Sequence, residues 1–128
     1  MPEHDRHERG LARYREVYGD DAVVLPEGTA MFDLMIEQLF AEVWTRPALA
    51  IPSRRLLTMG VLAAQQRFEV LGLQFRRTLD NGELTVEQVR EVVVHLVQYV
   101  GYGSSGDLLR VSETAIAEHQ ATTAADAS

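Results

Sequence analysis

The sequence predicts an all-α protein of about six helices, and three observations support this fold class. Apolar residues recur every three or four positions over most of the chain, which is the spacing of one buried helix face. No segment alternates apolar and polar residues for long enough to indicate a β-strand. Pro47, Asn81-Gly82 and the glycines of residues 101–106 fall between the periodic segments, where helices are expected to end.

The first two helices are predicted from short periodic runs. A second helix is expected from Ala30 to Val43 or Trp44, and it ends before Arg46-Pro47 because the residue that precedes a proline avoids helical geometry. A first helix is expected within residues 1–20, where four apolar side chains have helical spacing: Leu11, Tyr14, Val17 and Tyr18.

The remaining four helices have clearer start and stop signals. A third should begin at Pro52-Ser53 and reach about Gln66, and a fourth should cover residues 68–80 and end at Asn81-Gly82. The fifth begins at Thr85, which can form a capping box with Gln88 three residues later. After the glycine- and serine-rich stretch 101–106, a sixth helix covers about Asp107 to His119, and the tail 121–128 is expected to fray.

The fifth helix is apolar over most of its circumference, which indicates that more than one face is covered. In a small domain this is easiest to satisfy when a second copy of the chain packs against the helix. The sequence therefore predicts a homo-oligomer. The apolar residues that support this prediction are Val86, Val89, Val92, Val93, Leu96, Val97 and Val100.

Composition excludes several classes of chemistry. The 128 residues suit one domain, and they include no cysteine and no lysine, so thiol catalysis, thiolate metal sites and Schiff-base chemistry are ruled out. A net charge of −7 disfavours nucleic-acid binding. No apolar run approaches the length of a membrane span and the N-terminus has no signal-peptide pattern, so no membrane association and a cytoplasmic location are expected.

Six segments in order resemble the carboxymuconolactone decarboxylase family over about residues 30–115. Residues 40–47 (FAEVWTRP) resemble the family's FGEVWxRP segment, and residues 53–64 (SRRLLTMGVLAA) resemble its R-x-LxTLAxLAA helix. Residues 79–82 (LDNG), residues 85–92 (TVEQVREV) and His95 follow at similar spacing. Residues 99–102 (YVGY) resemble the family's YxGxP ending.

The resemblance implies an alkylhydroperoxidase D-like helical fold that assembles as a trimer or hexamer. It also implies two possible chemistries: decarboxylation of 4-carboxymuconolactone in protocatechuate breakdown, or peroxide reduction through a CxxC pair. Decarboxylation of this kind needs no cofactor, because the electrons released with CO₂ delocalise onto the lactone carbonyl. The protein has only to orient a small carboxylated substrate, stabilise the developing oxyanion and supply a proton.

The chain departs from the family pattern at positions that carry chemistry. The peroxidase branch carries CxxCxxxH, and the aligned residues here are Arg67, Val70 and Gln74, so thiol-based peroxidase activity is not expected. The decarboxylase branch has a histidine at the Gln74 position. Glutamine can donate and accept hydrogen bonds but cannot shuttle a proton near neutral pH.

Two residues are the candidates for proton transfer. His95 lies mid-helix with Glu91 one turn before it, so it is interpreted either as an acid or base in a pocket or as an interface histidine. Glu42 precedes Trp44, and desolvation beside the indole would make it a proton donor; the alternative is a solvent-facing glutamate.

A second group of residues is assigned to substrate binding. Arg54 and Arg55 could clamp a substrate carboxylate or could simply form a charged helix start. Gln74 is assigned as a hydrogen-bond donor on the strength of the resemblance. The full predicted substrate-binding set is Arg54, Arg55, Gln74, Trp44, Tyr99 and Tyr102.

No metal site and no cofactor are predicted, although His4 and His7 with Asp5 and Glu8 have a spacing that could hold a metal ion. The leading hypothesis for function is a cofactor-independent lyase acting on a small lactone or carboxylated ring-derived acid. Two alternatives are a peroxidase-branch relative without the required thiols and a non-catalytic helical oligomer that binds a ligand.

Overall fold

The computed structural model describes residues 2–127, with side chains from residue 4 onward, and all regular structure in this range is helical. The all-α prediction is therefore confirmed. The chain divides after Arg54 into two compact units, called here the N-terminal unit and the C-terminal unit. The elements are α1 (Pro2–Tyr18), α2 (Ala30–Leu34), a π-helix (Met35–Val43), α3 (Ile51–Ala64), α4 (Phe68–Asp80), α5 (Val86–Val100), a 3₁₀-helix (Tyr102–Ser104) and α6 (Ser105–Ala127).

The N-terminal unit is built from α1 packed against the π-helix. The two helices approach closely at Gly10, where an added Cβ would collide with the backbone oxygen of Ile36. Aromatic side chains fill much of the core, and edge-to-face and stacked pairs of this kind stabilise a core beyond their area. The buried core residues of this unit are Tyr14, Val17, Phe32, Ile36, Phe40 and Trp44.

The second predicted helix has the expected bounds but not the expected geometry. From Met35 to Val43 it is a π-helix, and the backbone N–H of Trp44 donates to the carbonyl of Leu39 five residues earlier at 2.9 Å. Apolar residues every three or four positions suit either hydrogen-bonding pattern, so periodicity alone does not distinguish them. π-helices are rare and occur frequently at functional sites.

The C-terminal unit places α6 against both α4 and α5. The predicted bounds of the fourth and fifth helices are confirmed within a residue, since α4 covers Phe68–Asp80 and α5 covers Val86–Val100. Aliphatic residues dominate its core. The largest fully buried apolar side chains are Phe75, Met59, Leu71, Leu108, Ile116 and Val89.

Both predicted end signals between α4 and α5 are confirmed. Gly82 has a φ of 68°, and the N–H groups of Gly82 and Glu83 donate to the carbonyls of Leu79 and Thr78 at 3.1 and 2.9 Å, which is a Schellman motif. Thr85 and Gln88 form a capping box, with each side chain accepting from the other residue's backbone N–H. These two devices fix the short connection between the helices.

The sixth helix is longer than predicted. α6 covers Ser105–Ala127, so the predicted end at about His119 is wrong; fraying of the tail from residue 121 stays a prediction, and Ser128 lies outside the described residues. Alanine, the best helix former, recurs in this segment. The hydroxyls of Thr122 and Thr123 donate to carbonyls one turn earlier, and Arg76 of α4 donates to the Thr122 hydroxyl at 2.9 Å.

None of the helices between residues 2 and 127 combines the length and the apolar character that a membrane span requires. α6 is the longest at 23 residues, and it carries charged side chains throughout, including Asp107, Arg110 and Glu118.

Candidate functional site

A cavity of about 430 Å³ lies in the C-terminal unit along one face of α5. Its lining is mainly aliphatic, with three polar side chains on α5 (Gln88, Glu91 and His95). A mostly apolar pocket with a few converging polar groups is the usual form of a small-molecule site. The complete lining consists of Leu56, Leu84, Gln88, Glu91, Val92, His95 and Leu96.

The spacing of the polar residues along α5 explains why they share the cavity. Gln88, Glu91 and His95 are separated by three and four residues, which places them on one helix face. The capping box at Thr85 fixes where the helix begins and therefore which residues face the cavity. The His95 ring also contacts the ring of Tyr99 one turn later, with centroids 5.1 Å apart.

A buried ion pair links α3 to the connection between α4 and α5, and both segments contribute residues to the cavity lining. Arg55, which is fully buried, donates from Nε and Nη2 to the two carboxylate oxygens of Glu83 at 2.7 and 3.1 Å. Arg55 directly precedes Leu56 and Glu83 directly precedes Leu84, and both leucines line the cavity. Such a bidentate pair holds its two partners in a defined geometry.

The same arginine binds Gln74. Nη1 of Arg55 donates to Oε1 of Gln74 at 2.6 Å, and both side chains have no exposed surface. Nε2 of Gln74 is buried and has no hydrogen-bond partner among residues 2–127. The structure thus brings two of the predicted substrate-binding residues together, but inside the protein and not among the cavity-lining residues; their assignment to substrate binding stays a prediction.

Three predicted residues lie in the N-terminal unit. Glu42 is exposed, with 58% of its side chain accessible, and it pairs with Arg6 at 3.1 Å; the burial on which its interpretation as a proton donor depended is absent. Trp44 is buried and stacks on Phe40 with centroids 6.1 Å apart. Arg54 donates to the backbone carbonyls of Leu49 and Arg46, both at 3.1 Å.

The two predicted tyrosines lie on the outer surface of the C-terminal unit. Tyr99 is 80% exposed and Tyr102 is 69% exposed. Tyr102 accepts a hydrogen bond from Gln98 at 2.9 Å and lines a second, shallow groove with Val94 and Leu109. Tyr99 is not among the residues that line the α5 cavity, but its ring contacts the ring of His95, which is.

Several cavity residues were not identified from the sequence. Gln88 was interpreted only as a capping residue, although its spacing from Glu91 and His95 was a usable signal. Leu56 and Leu84 come from outside α5, and no local pattern indicates that they meet it. Their contribution depends on tertiary packing.

Two groups elsewhere in the protein, Tyr14 and Asp80, have clearly displaced pKa values. Burial raises the pKa of Tyr14, whose hydroxyl donates to the Val23 carbonyl at 2.6 Å. At Asp80, burial acts to raise the pKa, but hydrogen bonds from His119 and Arg76 prevail and lower it below its ordinary value. The latter contacts join the ends of α4 and α6 and have no evident part in the cavity.

Comparison with known proteins supplies the family context. Over 119 residues the chain is 29% identical to 4-carboxymuconolactone decarboxylase from Acinetobacter baylyi, a match that covers 88% of each protein. The resemblance to carboxymuconolactone decarboxylases is confirmed. The chain is also 34% identical over 84 residues to nitrosuccinic acid decarboxylase from Metarhizium robertsii.

The extent of these matches differs. The nitrosuccinic acid decarboxylase match covers 66% of this chain and 58% of the fungal protein, so the chain spans little more than half of that relative. No family model matches the chain, and no solved structure matches it at a significant level. Both relatives carry names of decarboxylases, although the substrates in those names differ.

Proposed function

We propose that the protein is a cofactor-independent decarboxylase that acts on a small carboxylic acid in the α5 cavity. The observation that carries this proposal is the coincidence of a mainly aliphatic cavity with the predicted catalytic residue His95 and with Glu91. The similarity to two proteins named as decarboxylases supports the reaction class. The proposal includes the substrate class, which is a small lactone or a carboxylic acid derived from a ring.

The proposed chemistry needs an electron sink in the substrate. The carbon–carbon bond to the carboxylate breaks, CO₂ leaves, and the electron pair delocalises into an adjacent lactone or nitro group; the names of the two relatives specify substrates with these groups. A protonated His95 then delivers its proton to the substrate carbon and regains one from water. The aliphatic lining offers little stabilisation to the localised charge of the carboxylate, which favours its spread into the electron sink as the bond breaks.

Gln88 and Glu91 have separate proposed roles. The amide oxygen of Gln88 accepts the Thr85 N–H in the capping box, which leaves its Nε2 group as a donor to a substrate oxygen. Glu91 lies one turn before His95, so its carboxylate is on the same helix face as the imidazole. In the proposed reaction this carboxylate accepts a proton or a hydrogen bond. Arg55 and Gln74 act as positioning residues through Glu83, because their side chains are fully buried.

We also propose that the chain forms a homo-oligomer, either a trimer or a hexamer. Large apolar side chains are exposed on three helices of the C-terminal unit, including Leu57 at 63%, Leu73 at 57% and Val94 at 55%. Exposed apolar surface of this kind favours association with another copy of the chain. Size-exclusion chromatography with light scattering tests this directly, and a monomer at micromolar concentration would contradict it.

The experiment is CO₂ release from 4-carboxymuconolactone and from nitrosuccinate, measured with the unmodified chain and with Leu56→Trp. Leu56 lines the cavity, so the larger side chain should reduce kcat/KM by at least about tenfold through steric exclusion. Leu49→Trp is the matched control, because Leu49 is exposed to nearly the same extent as Leu56, does not line the cavity and is not part of the exposed apolar surface of the C-terminal unit. Equal activity in both variants, or release from neither substrate by the folded parent chain, would overturn the proposal.

The Gln74→His variant tests the family's histidine position. Turnover by the unmodified chain would show that a histidine at this buried position is dispensable. Turnover only after Gln74→His would instead indicate that the unmodified chain keeps the decarboxylase scaffold but has changed its substrate or lost the activity. Gln74 accepts a hydrogen bond from Arg55, so its replacement changes a buried contact of the fold. Circular dichroism of both proteins shows whether a difference in turnover results from misfolding.

A further inference from the structure

Three side chains that are common metal ligands meet in the N-terminal unit. They are His7 on α1, Asp33 on α2 and Glu37 on the π-helix. One donor atom from each lies within 4.8 Å of the other two. Imidazole and carboxylate groups are ligands for Zn²⁺ and other first-row divalent cations.

The spacing of two donor atoms fits a shared ion. Nδ1 of His7 lies 3.1 Å from Oε2 of Glu37. Two ligands bound tetrahedrally to Zn²⁺ at their usual distances are separated by roughly 3.3 Å. A small adjustment of either side chain would therefore place both in the coordination shell of one ion.

Asp33 provides an independent indication of a ligand. Its Oδ2 accepts the backbone N–H of Gly28 at 2.8 Å, but its Oδ1 is buried and accepts no hydrogen bond within the part of the chain that the structure describes. A buried carboxylate oxygen without a partner is destabilising, and coordination of a cation removes that cost. His7 is itself only 8% exposed.

The charges around the cluster also favour a cation. Asp33 and Glu37 are one helical turn apart, where like charges repel. The neighbouring cation on α1, Arg6, directs its guanidinium elsewhere, since Nε donates to the Glu37 carbonyl at 2.8 Å and Nη2 pairs with Glu42 at 3.1 Å. Among the described residues, His7 pairs with Glu37 at 3.1 Å and Asp33 accepts the Gly28 N–H.

We propose that His7, Asp33 and Glu37 form a divalent-cation site for which Zn²⁺ is the fitting ion. Three protein ligands leave a further coordination position for water, as in open zinc sites. Since the ligands come from α1, α2 and the π-helix, the ion joins the helices of the N-terminal unit. Binding to the folded chain alone then stabilises that fold by mass action.

The test is calorimetric titration of the untagged full chain with Zn²⁺, together with its melting temperature. One ion per chain should bind, and a hundredfold excess over Kd should raise Tm by roughly 5–10 °C. His7→Gln and Asp33→Asn should each weaken binding by at least about tenfold. Asn at position 33 can still accept the Gly28 N–H, so this variant is expected to fold even if His7→Gln does not.

The matched control is His4→Gln, which makes the same substitution three residues earlier on α1. His4 is exposed and pairs with Glu8 at 3.1 Å, outside the cluster, so Zn²⁺ affinity should be unchanged. Absence of Zn²⁺ binding to the parent chain would overturn the proposal. Equal affinity in the Asp33→Asn and His4→Gln proteins, with circular dichroism confirming both folds, would overturn it as well.

Discussion

The N-terminal and C-terminal units are both made of amphipathic helices, but they differ in how far local sequence determines their geometry. In the C-terminal unit, a Schellman motif and a capping box define the connection between α4 and α5, and the observed bounds follow these signals. In the N-terminal unit, the predicted helix changes to π geometry at Met35, where α1 packs closely against it at Gly10. Tertiary packing, which short motifs do not encode, has the larger influence there.

The units also differ in how polar groups are buried. The C-terminal unit buries one arginine with a bidentate carboxylate, Arg55 with Glu83. The N-terminal unit buries His7 beside two carboxylates, and an oxygen of Asp33 has no hydrogen-bond partner among the described residues. Substitutions in the two arrangements should therefore change the stability of the protein by different amounts. The variants should also differ in how their stability depends on metal ions.

The largest effect is expected for Arg55→Ala in the C-terminal unit. Removing this side chain leaves Glu83 and Gln74 without their buried partner, so the free energy of unfolding should fall by about 3–5 kcal/mol. Urea unfolding measures this change. The control is Arg54→Ala, whose side chain is only half-buried and bonds to backbone carbonyls; similar losses in the two variants would contradict the proposed importance of the pair.

The next effect is expected for Gly10→Ala in the N-terminal unit. The added methyl group would collide with the backbone oxygen of Ile36, and the unit should lose about 1–3 kcal/mol of stability. Gly60→Ala is the matched control on α3, because nothing lies within 4 Å of its added Cβ. That variant should gain about 0.5–1 kcal/mol from helix propensity; opposite signs in thermal unfolding support the account, and equal signs contradict it.

A smaller effect is expected for Gly82→Ala in the C-terminal unit. The position is open to a side chain, so the cost comes only from its φ of 68°, at about 1 kcal/mol. Gly82→Asn should recover part of the loss, because asparagine tolerates this conformation better. If chemical denaturation gives both variants the stability of the parent chain, the Schellman motif does not contribute as described.

The smallest effect is expected for Asp80→Asn, and it depends on pH. The folded-state pKa of Asp80 is below its ordinary value of 3.8, because hydrogen bonds from His119 and Arg76 outweigh the effect of burial. The stability it contributes is therefore present above that ordinary value and is lost as pH falls through the lower folded-state pKa. Because the group is largely exposed and screened by solvent, the contribution should be under about 1 kcal/mol.

Unfolding measured from pH 6 down to pH 2 tests this prediction. The stability difference between the parent chain and Asp80→Asn should be present at pH 6 and vanish at the acidic end. It should also shrink at high salt, which screens exposed charge pairs. A constant difference across the range would show that the carboxylate charge of Asp80 is not the cause.

Much of the fold could be predicted because its signals are local. Thr85 and Gln88 define the start of α5, and Asn81-Gly82 defines the end of α4. The π-helix could not be predicted, because the same apolar spacing fits α geometry. The continuation of α6 to Ala127 depends partly on the contact of Thr122 with Arg76 from another helix.

The candidate site was predictable only in part for the same reason. His95 and its neighbour Glu91 were identified from helical spacing, and both line the cavity. Leu56 and Leu84 were not identified, because they join α5 through tertiary packing. Asp33 was missed as a partner of His7, since they are far apart in sequence and meet only when α1 packs in the N-terminal unit.

The most direct measurement of the central claim is the rate of CO₂ release by His95→Gln beside His119→Gln. His95 lines the α5 cavity, whereas His119 lies on α6 and pairs with Asp80 at 2.7 Å. Loss of the proposed proton donor should lower kcat by about 10²–10⁴-fold in His95→Gln, while His119→Gln stays within about twofold of the parent chain. Unchanged kcat in a folded His95→Gln protein would contradict the assignment of catalysis to this cavity.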